Sequence, residues 1–125
     1  MREIQRQTST FAFRFAANEM ATVYHVTTKK GLDAIKREGI KPQSGSRATQ
    51  LGEDSPGIYV FPTRDHMEDA LGNWLGEAYE DEPDHLYGLT VNCPASWLED
   101  SPAGYEKVCR QPIPPHMISD VEDLG

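Results

Sequence analysis

The chain has 125 residues, of which 38% are hydrophobic and 26% charged, and its formal net charge is −8. This length and apolar content are typical of one folded domain and disfavour a disordered chain. The negative charge disfavours a sequence-independent nucleic-acid binder, which needs a cationic face, and attachment to anionic lipid. No apolar run is long enough for a membrane span or a signal peptide, so we expect a cytoplasmic protein with no membrane partner.

The hydrophobic pattern predicts a single domain. Residues 1–9 are polar and are expected to form a flexible N-terminus, whereas residues 10–125 hold all the predicted elements. Period-two alternation, or runs of β-branched and aromatic residues, predict five or six short strands. These strands cover residues 10–16, 21–27, 57–61, 85–93, 105–110 and 117–121.

Two helices are predicted between these strands. Thr28 can cap a helix from Lys29 to Glu38, and Gly39 suits the left-handed conformation that ends it. Thr63 can cap a second helix, in which apolar residues recur at helical spacing from Met67 to Ala78. Because strands and helices do not alternate regularly, the pattern predicts an α+β fold with mainly antiparallel pairing.

The remaining segments are polar. Residues 43–56 are rich in serine and glycine and show no period, which favours a mobile or functional loop. The acidic run over residues 80–84 is interpreted as a solvated loop or as a contact for a basic partner. Cys93 and Cys109 are interpreted as buried thiols, with a disulfide or metal-ligand role as the alternative. The histidines show no zinc-binding spacing, so no metal site is predicted.

Three segments carry side chains suited to a nucleotide sugar. His25 and Thr27 lie two residues apart, on one face at the end of a predicted strand. Tyr59 offers a flat ring for stacking, and Glu106 offers a carboxylate for a sugar hydroxyl. Each residue also has a structural interpretation, as a satisfied histidine, a sheet aromatic or a solvated acid. The chain lacks the glycine-rich loops that bind phosphates.

The order of these segments resembles the His-Tyr-Glu branch of the ADP-ribosyltransferase-like superfamily, as found in small bacterial and phage proteins. The resemblance covers residues 22–122 and implies a split antiparallel β-sheet core with two main helices. The matching motifs are Tyr24-His-Val-Thr with Gly31-Leu-x-x-Ile35 and Glu38-Gly-Ile-Lys-Pro42, then Gly57-Ile-Tyr-Val-Phe61, then Glu106 before Ile113-Pro-Pro.

The resemblance implies that NAD is the substrate. His25 would bind a ribose hydroxyl with support from Thr27, and the main chain of Val26 would hold the nicotinamide amide. Val26 stands where the branch usually has glycine. Tyr59 would stack on the nicotinamide ring, and Trp74 is a candidate for the second ring that often closes this site.

The catalytic carboxylate implied by the resemblance is Glu106. It would bind the 2′-hydroxyl of the nicotinamide ribose and stabilise the oxocarbenium-like transition state, so that nicotinamide leaves and a target nucleophile attacks C1′. Gly104 stands where arginine-modifying relatives carry a second acid or glutamine, which disfavours arginine as the acceptor. Only Arg47 and Arg64 are placed to hold phosphates, which disfavours the related RNA 2′-phosphotransferase activity.

The function implied is NAD-dependent mono-ADP-ribosyl transfer to a protein, a nucleic acid or a small molecule. The acidic composition favours a protein target with a basic surface over a nucleic acid. Two alternatives stay open. One is a non-catalytic acidic binding module on the same fold, acting as a phage-type inhibitor of a host protein, and the other is an NAD glycohydrolase toxin.

Overall fold

The computed structural model describes residues 19–42, 56–73, 75, 85–102 and 104–125. Within these residues it shows two α-helices and two small antiparallel sheets, so the α+β class predicted from the sequence is confirmed. The predictions for residues 1–16, for Trp74, for the acidic run and for most of the 43–56 loop lie outside the described residues. No helix in the described ranges has the length and apolar character needed to span a membrane.

The elements follow one another in a simple order. The helices and strands are β1 (Met20–Thr28), α1 (Lys29–Glu38), β2 (Ile58–Val60), α2 (Arg64–Leu71), β3 (Leu86–Pro94), β4 (Leu98–Asp100), β5 (Lys107–Cys109) and β6 (Ile118–Asp123). Short 3-10 turns precede β4 and β6.

The six strands of the described ranges form two three-stranded sheets, which meet where β1 and the end of β2 are bridged. The first sheet has the order β1-β3-β6 and the second the order β2-β5-β4. Tyr24 and Phe61 form a bridge between β1 and the end of β2, where each N–H donates to the other residue's carbonyl at 2.9 and 2.8 Å. Because β1 and β2 then continue in different sheets, they separate on either side of this bridge.

Both helices begin at the caps that the sequence predicts. The Thr28 hydroxyl accepts a hydrogen bond from the Gly31 N–H at 3.1 Å, and the Thr63 hydroxyl accepts one from the His66 N–H at 3.1 Å. Gly39 ends α1 with a φ of 80°, a conformation that glycine adopts at little cost. The second helix ends at Leu71, because Gly72 and Asn73 form a turn, so it is shorter than the helical spacing from Met67 to Ala78 predicts.

Two apolar clusters hold the sheets and helices together. The first lies between the sheets and α1, and the second lies under α2. The first contains Val23, Leu32, Ile35, Ile40, Ile58, Val60, Leu89, Val91, Cys93, Cys109 and Ile113, and the second contains Val26, Phe61, Met67 and Ala70. The two cysteines are free thiols without exposed surface, so the prediction of buried thiols is confirmed. Burial raises the pKa of Cys93 to about 11.

Candidate functional site

His25 lies at the point where β1 and β2 separate. Its Nδ1 is 3.0 Å from the main-chain carbonyl oxygen of Tyr59. If the bridge between Tyr24 and Phe61 continued as an antiparallel ladder, the Val26 N–H would donate to this carbonyl. The imidazole N–H of His25 therefore replaces the main-chain N–H of Val26 as the donor to this carbonyl. It connects β2 to β1 where the two main chains separate.

This hydrogen bond determines which ring nitrogen of His25 carries the proton. A carbonyl oxygen only accepts, so Nδ1 carries the proton and donates it, and Nε2 of the neutral ring is an acceptor. Burial lowers the pKa of His25 below its ordinary value of 6.5, and the hydrogen bond to Tyr59 raises it by less. The ring is therefore neutral at pH 7, with its Nε2 lone pair available for a hydroxyl group.

The main chain of Val26 faces the same opening. Main-chain groups of residues two apart in a strand point to the same edge, and those of Tyr24 point towards β2. The N–H and C=O of Val26 therefore point to the edge from which β2 has separated. The Val26 side chain packs in the second apolar cluster with only 7% exposure, so it leaves this edge open.

A cleft of about 370 Å³ opens beside His25. Its walls come from the end of β1, the inner side of α1 and the start of β2. They include His25, Val26, Thr27, Gly31, Ala34, Ile35, Glu38, Gly39, Ile40, Lys41, Gly57 and Ile58. Among the described residues, Tyr59 and Glu106 are not part of this lining.

One wall of the cleft depends on a close contact between β1 and α1. Thr27 is buried, and its hydroxyl lies directly against the Cα of Gly31, so that a Cβ at this position would collide with Thr27 Oγ1. At the rim, Lys41 donates to the Glu38 carboxylate at 2.7 Å, and this hydrogen bond lowers the pKa of Glu38. The inner wall is therefore rigidly packed, whereas the rim is charged and exposed.

Tyr59 and Glu106 lie together in the second sheet. Tyr59 pairs with Val108 of β5, and Glu106 lies two residues before Val108. The Ser101 N–H donates to the Glu106 carbonyl at 3.3 Å, which extends the pairing of β4 with β5 to Glu106. Since strand residues two apart share a face, Tyr59 and Glu106 face the same side, opposite to the first apolar cluster.

Glu106 is only 2% exposed, so the alternative interpretation of this residue as a solvated surface acid is wrong. The structure thus joins His25 to the Tyr59 main chain and puts the Tyr59 and Glu106 side chains on one sheet face. The cleft is lined by His25 and lies away from the sheet face that Tyr59 and Glu106 share. The second ring that the sequence suggested, Trp74, lies outside the described residues.

A second opening lies between α2 and Tyr105. It has a volume of about 360 Å³, and its lining includes His66, Asp69, Ala70, Asn73 and Tyr105. The sequence motifs predict no functional role for these residues. Their only sequence signal is the helical spacing of the α2 residues, which puts polar side chains along one side of that helix.

No group of three or more His, Cys, Asp or Glu side chains within the described ranges could hold a metal ion. The chain matches no protein-family model, and a search of curated proteins finds no significant relative. The functional assignment therefore depends on the geometry of the site and on the resemblance of its motifs.

Proposed function

We propose that this protein is an NAD-dependent mono-ADP-ribosyltransferase. The observation that carries the proposal is the hydrogen bond from His25 to the Tyr59 main chain, next to the strand that bears the buried Glu106. This hydrogen bond joins the first two motifs of the resemblance, and the pairing of β2 with β5 brings the segment of Glu106, the third motif, next to the second. The two small antiparallel sheets show the α+β class, and the split sheet core that the resemblance implies is part of this proposal.

The edge of β1 at His25 and Val26, where β2 has separated, suits the sugar and amide groups of NAD. The Nε2 acceptor of neutral His25 matches the donor of a ribose hydroxyl. The N–H and C=O of Val26 match the carbonyl and amino groups of a carboxamide. The cleft volume of about 370 Å³ lies at the lower end of small-molecule sites, which span roughly 300–1,000 Å³. The cleft would hold one nucleoside half of NAD, and the other half would extend past His25.

The nicotinamide half would reach the face shared by Tyr59 and Glu106. The phenol ring of Tyr59 would stack on nicotinamide, and the Glu106 carboxylate would accept a hydrogen bond from the ribose 2′-hydroxyl. The bond between C1′ and the nicotinamide nitrogen breaks, and its electron pair leaves with nicotinamide. Glu106 stabilises the positive charge on the ribose until the acceptor's lone pair forms the new bond at C1′ and the acceptor loses its proton.

The test is incubation of the purified protein with labelled NAD, with and without cell lysate, while free nicotinamide and labelled macromolecules are measured. We expect nicotinamide release and label on a macromolecule. The Glu106→Gln variant keeps the shape of the side chain but loses its charge. We expect its turnover to fall by roughly a hundredfold or more, since one such electrostatic group is worth about 3–4 kcal/mol.

The matched control is Asp100→Asn in the neighbouring strand β4. Asp100 is exposed and pairs with Lys107, on the face opposite to Tyr59 and Glu106, so its charge change should leave turnover close to that of the wild type. Absence of nicotinamide release under all conditions would contradict the proposal and favour the binding module. Release without label on any macromolecule would favour the glycohydrolase.

A further inference from the structure

We propose that the groove between α2 and Tyr105 recognises the target and binds the guanidinium group of an arginine side chain on a basic protein. This inference rests on the proposed function, because it assigns the second half of the same site. The guanidinium is the group that is recognised, and the modified group can be a different one on the same target.

The groove lies at the end of the second sheet where Glu106 lies. The last residue pair between β2 and β5 joins Val60 to Lys107, so Phe61 and Glu106 follow at the same end. Helix α2 begins directly after this end of β2, and Tyr105 directly precedes Glu106. Both walls of the groove therefore continue from the two segments that carry the proposed nicotinamide contacts.

The groove presents hydrogen-bond acceptors around a flat ring. The Asp69 carboxylate is exposed, and within the part of the chain that the structure describes it makes no ion pair. Asn73 donates its side-chain N–H to the Asp69 main-chain carbonyl at 2.7 Å, which leaves its side-chain oxygen as an acceptor. Tyr105 is 38% exposed, and the small Ala70 leaves space between the ring and the helix.

A guanidinium fits these groups better than other ligands do. It is planar, presents several N–H donors in a rigid fork, stacks on aromatic rings and keeps its charge at all relevant pH values. An ammonium group lacks the planar fork, and a phosphate would be repelled by Asp69. The overall charge of −8 would also steer a basic protein towards this surface.

The test is a titration of the full-length protein, without NAD, with a short peptide that contains one arginine. Matched peptides carry lysine or citrulline in its place, and chemical shifts of the Asn73 side-chain amide report binding. We expect saturable binding of the arginine peptide and at least tenfold weaker binding of both matched peptides. Equal binding of the three peptides, or no binding of any, would overturn the inference.

The Asp69→Asn variant is expected to lose at least tenfold in affinity for the arginine peptide. Asp65→Asn removes the same charge one turn earlier on α2 and is expected to change the affinity by less than twofold. If Asp69→Asn binds as well as the wild type does, the groove does not recognise the guanidinium through its carboxylate and the inference is wrong.

This titration separates the inference from the proposed function. Nicotinamide release by the wild type together with binding that does not depend on Asp69 would overturn the inference alone. Binding that depends on Asp69, from a protein that releases no nicotinamide, would overturn the proposed function alone.

Discussion

The cleft beside His25 and the groove beside Tyr105 have similar volumes but are built differently. The cleft is formed by main chain, by a glycine contact and by a histidine whose tautomer the Tyr59 carbonyl defines. The groove is formed largely by exposed side chains on one side of a short helix. A substitution in the inner wall of the cleft disturbs the core, whereas one at an exposed residue of the groove changes only a surface. The cleft is thus suited to a ligand that is the same in every reaction, and the groove is suited to recognising a particular target.

The first prediction concerns the cleft as the binding site for NAD, and a substitution that fills the cleft should cause the largest loss of activity. Ala34 lies on the inner side of α1 in the cleft wall, and Ala34→Trp would occupy the space of a nucleoside. We expect kcat/KM for NAD to fall by roughly a hundredfold, the effect of about 2.7 kcal/mol of lost binding. The control is Lys36→Trp, which puts the same ring on the exposed side of α1, away from the residues that line the cleft. An unchanged KM for NAD in Ala34→Trp would show that NAD does not use the cleft.

A second prediction concerns the rigidity of the cleft wall. Gly31→Ala places a methyl group against the Thr27 hydroxyl, and we expect it to lower the free energy of unfolding by roughly 1–3 kcal/mol, as overpacking does. The matched control is Gly72→Ala after α2, where the nearest atoms to a new Cβ lie 3.6 Å away and φ is −75°. Chemical denaturation would measure both, and equal stability of the two variants would contradict the close packing of the wall.

The smallest expected effect is the pH dependence that His25 contributes to stability. Because burial lowers the pKa of His25 in the folded protein, the unfolded chain takes up the proton first as the pH falls below about 6.5. The contribution of His25 to stability is therefore complete above pH 6.5 and is lost towards the lower pKa of the folded state.

His25→Gln removes this titration, and its amide can still donate to the Tyr59 carbonyl. Carboxylates with lowered pKa, such as Glu38, change stability in the same direction in both proteins. The difference between wild type and variant, measured by denaturation at several pH values, therefore isolates His25. A difference that does not change with pH would show that the folded protein leaves the pKa of His25 at its ordinary value.

The sequence predicts best what local interactions determine. Helix α1 begins after Thr28 and ends before Gly39, as predicted, because a side-chain cap and a positive φ act over only a few residues. The strand predicted over residues 85–93 is observed as Leu86–Pro94, and the one over 117–121 as Ile118–Asp123. Period-two alternation, or β-branched and aromatic content, is enough to place these elements within two residues.

Features that depend on distant contacts could not be predicted in this way. Strand β4 has only three residues and is defined by its pairing with β5, and β5 itself is shorter than the predicted strand over residues 105–110. The hydrogen bond from His25 to Tyr59 depends on the separation of β1 and β2, which no local pattern encodes. The groove beside Tyr105 was missed because it combines one side of α2 with a residue 32 positions beyond Asn73.

The most direct measurement follows the imidazole of His25 by nitrogen NMR while NAD is added to the Glu106→Gln variant, which binds without rapid turnover. We expect this variant to bind NAD, with a neutral ring that carries its proton on Nδ1 at pH 7 and a saturable shift of Nε2 as it accepts a ribose hydroxyl. The Nδ1–H bond to Tyr59 should persist throughout. An Nε2 signal that stays constant at saturating NAD would show that the junction of His25, Tyr59 and Glu106 does not bind a dinucleotide.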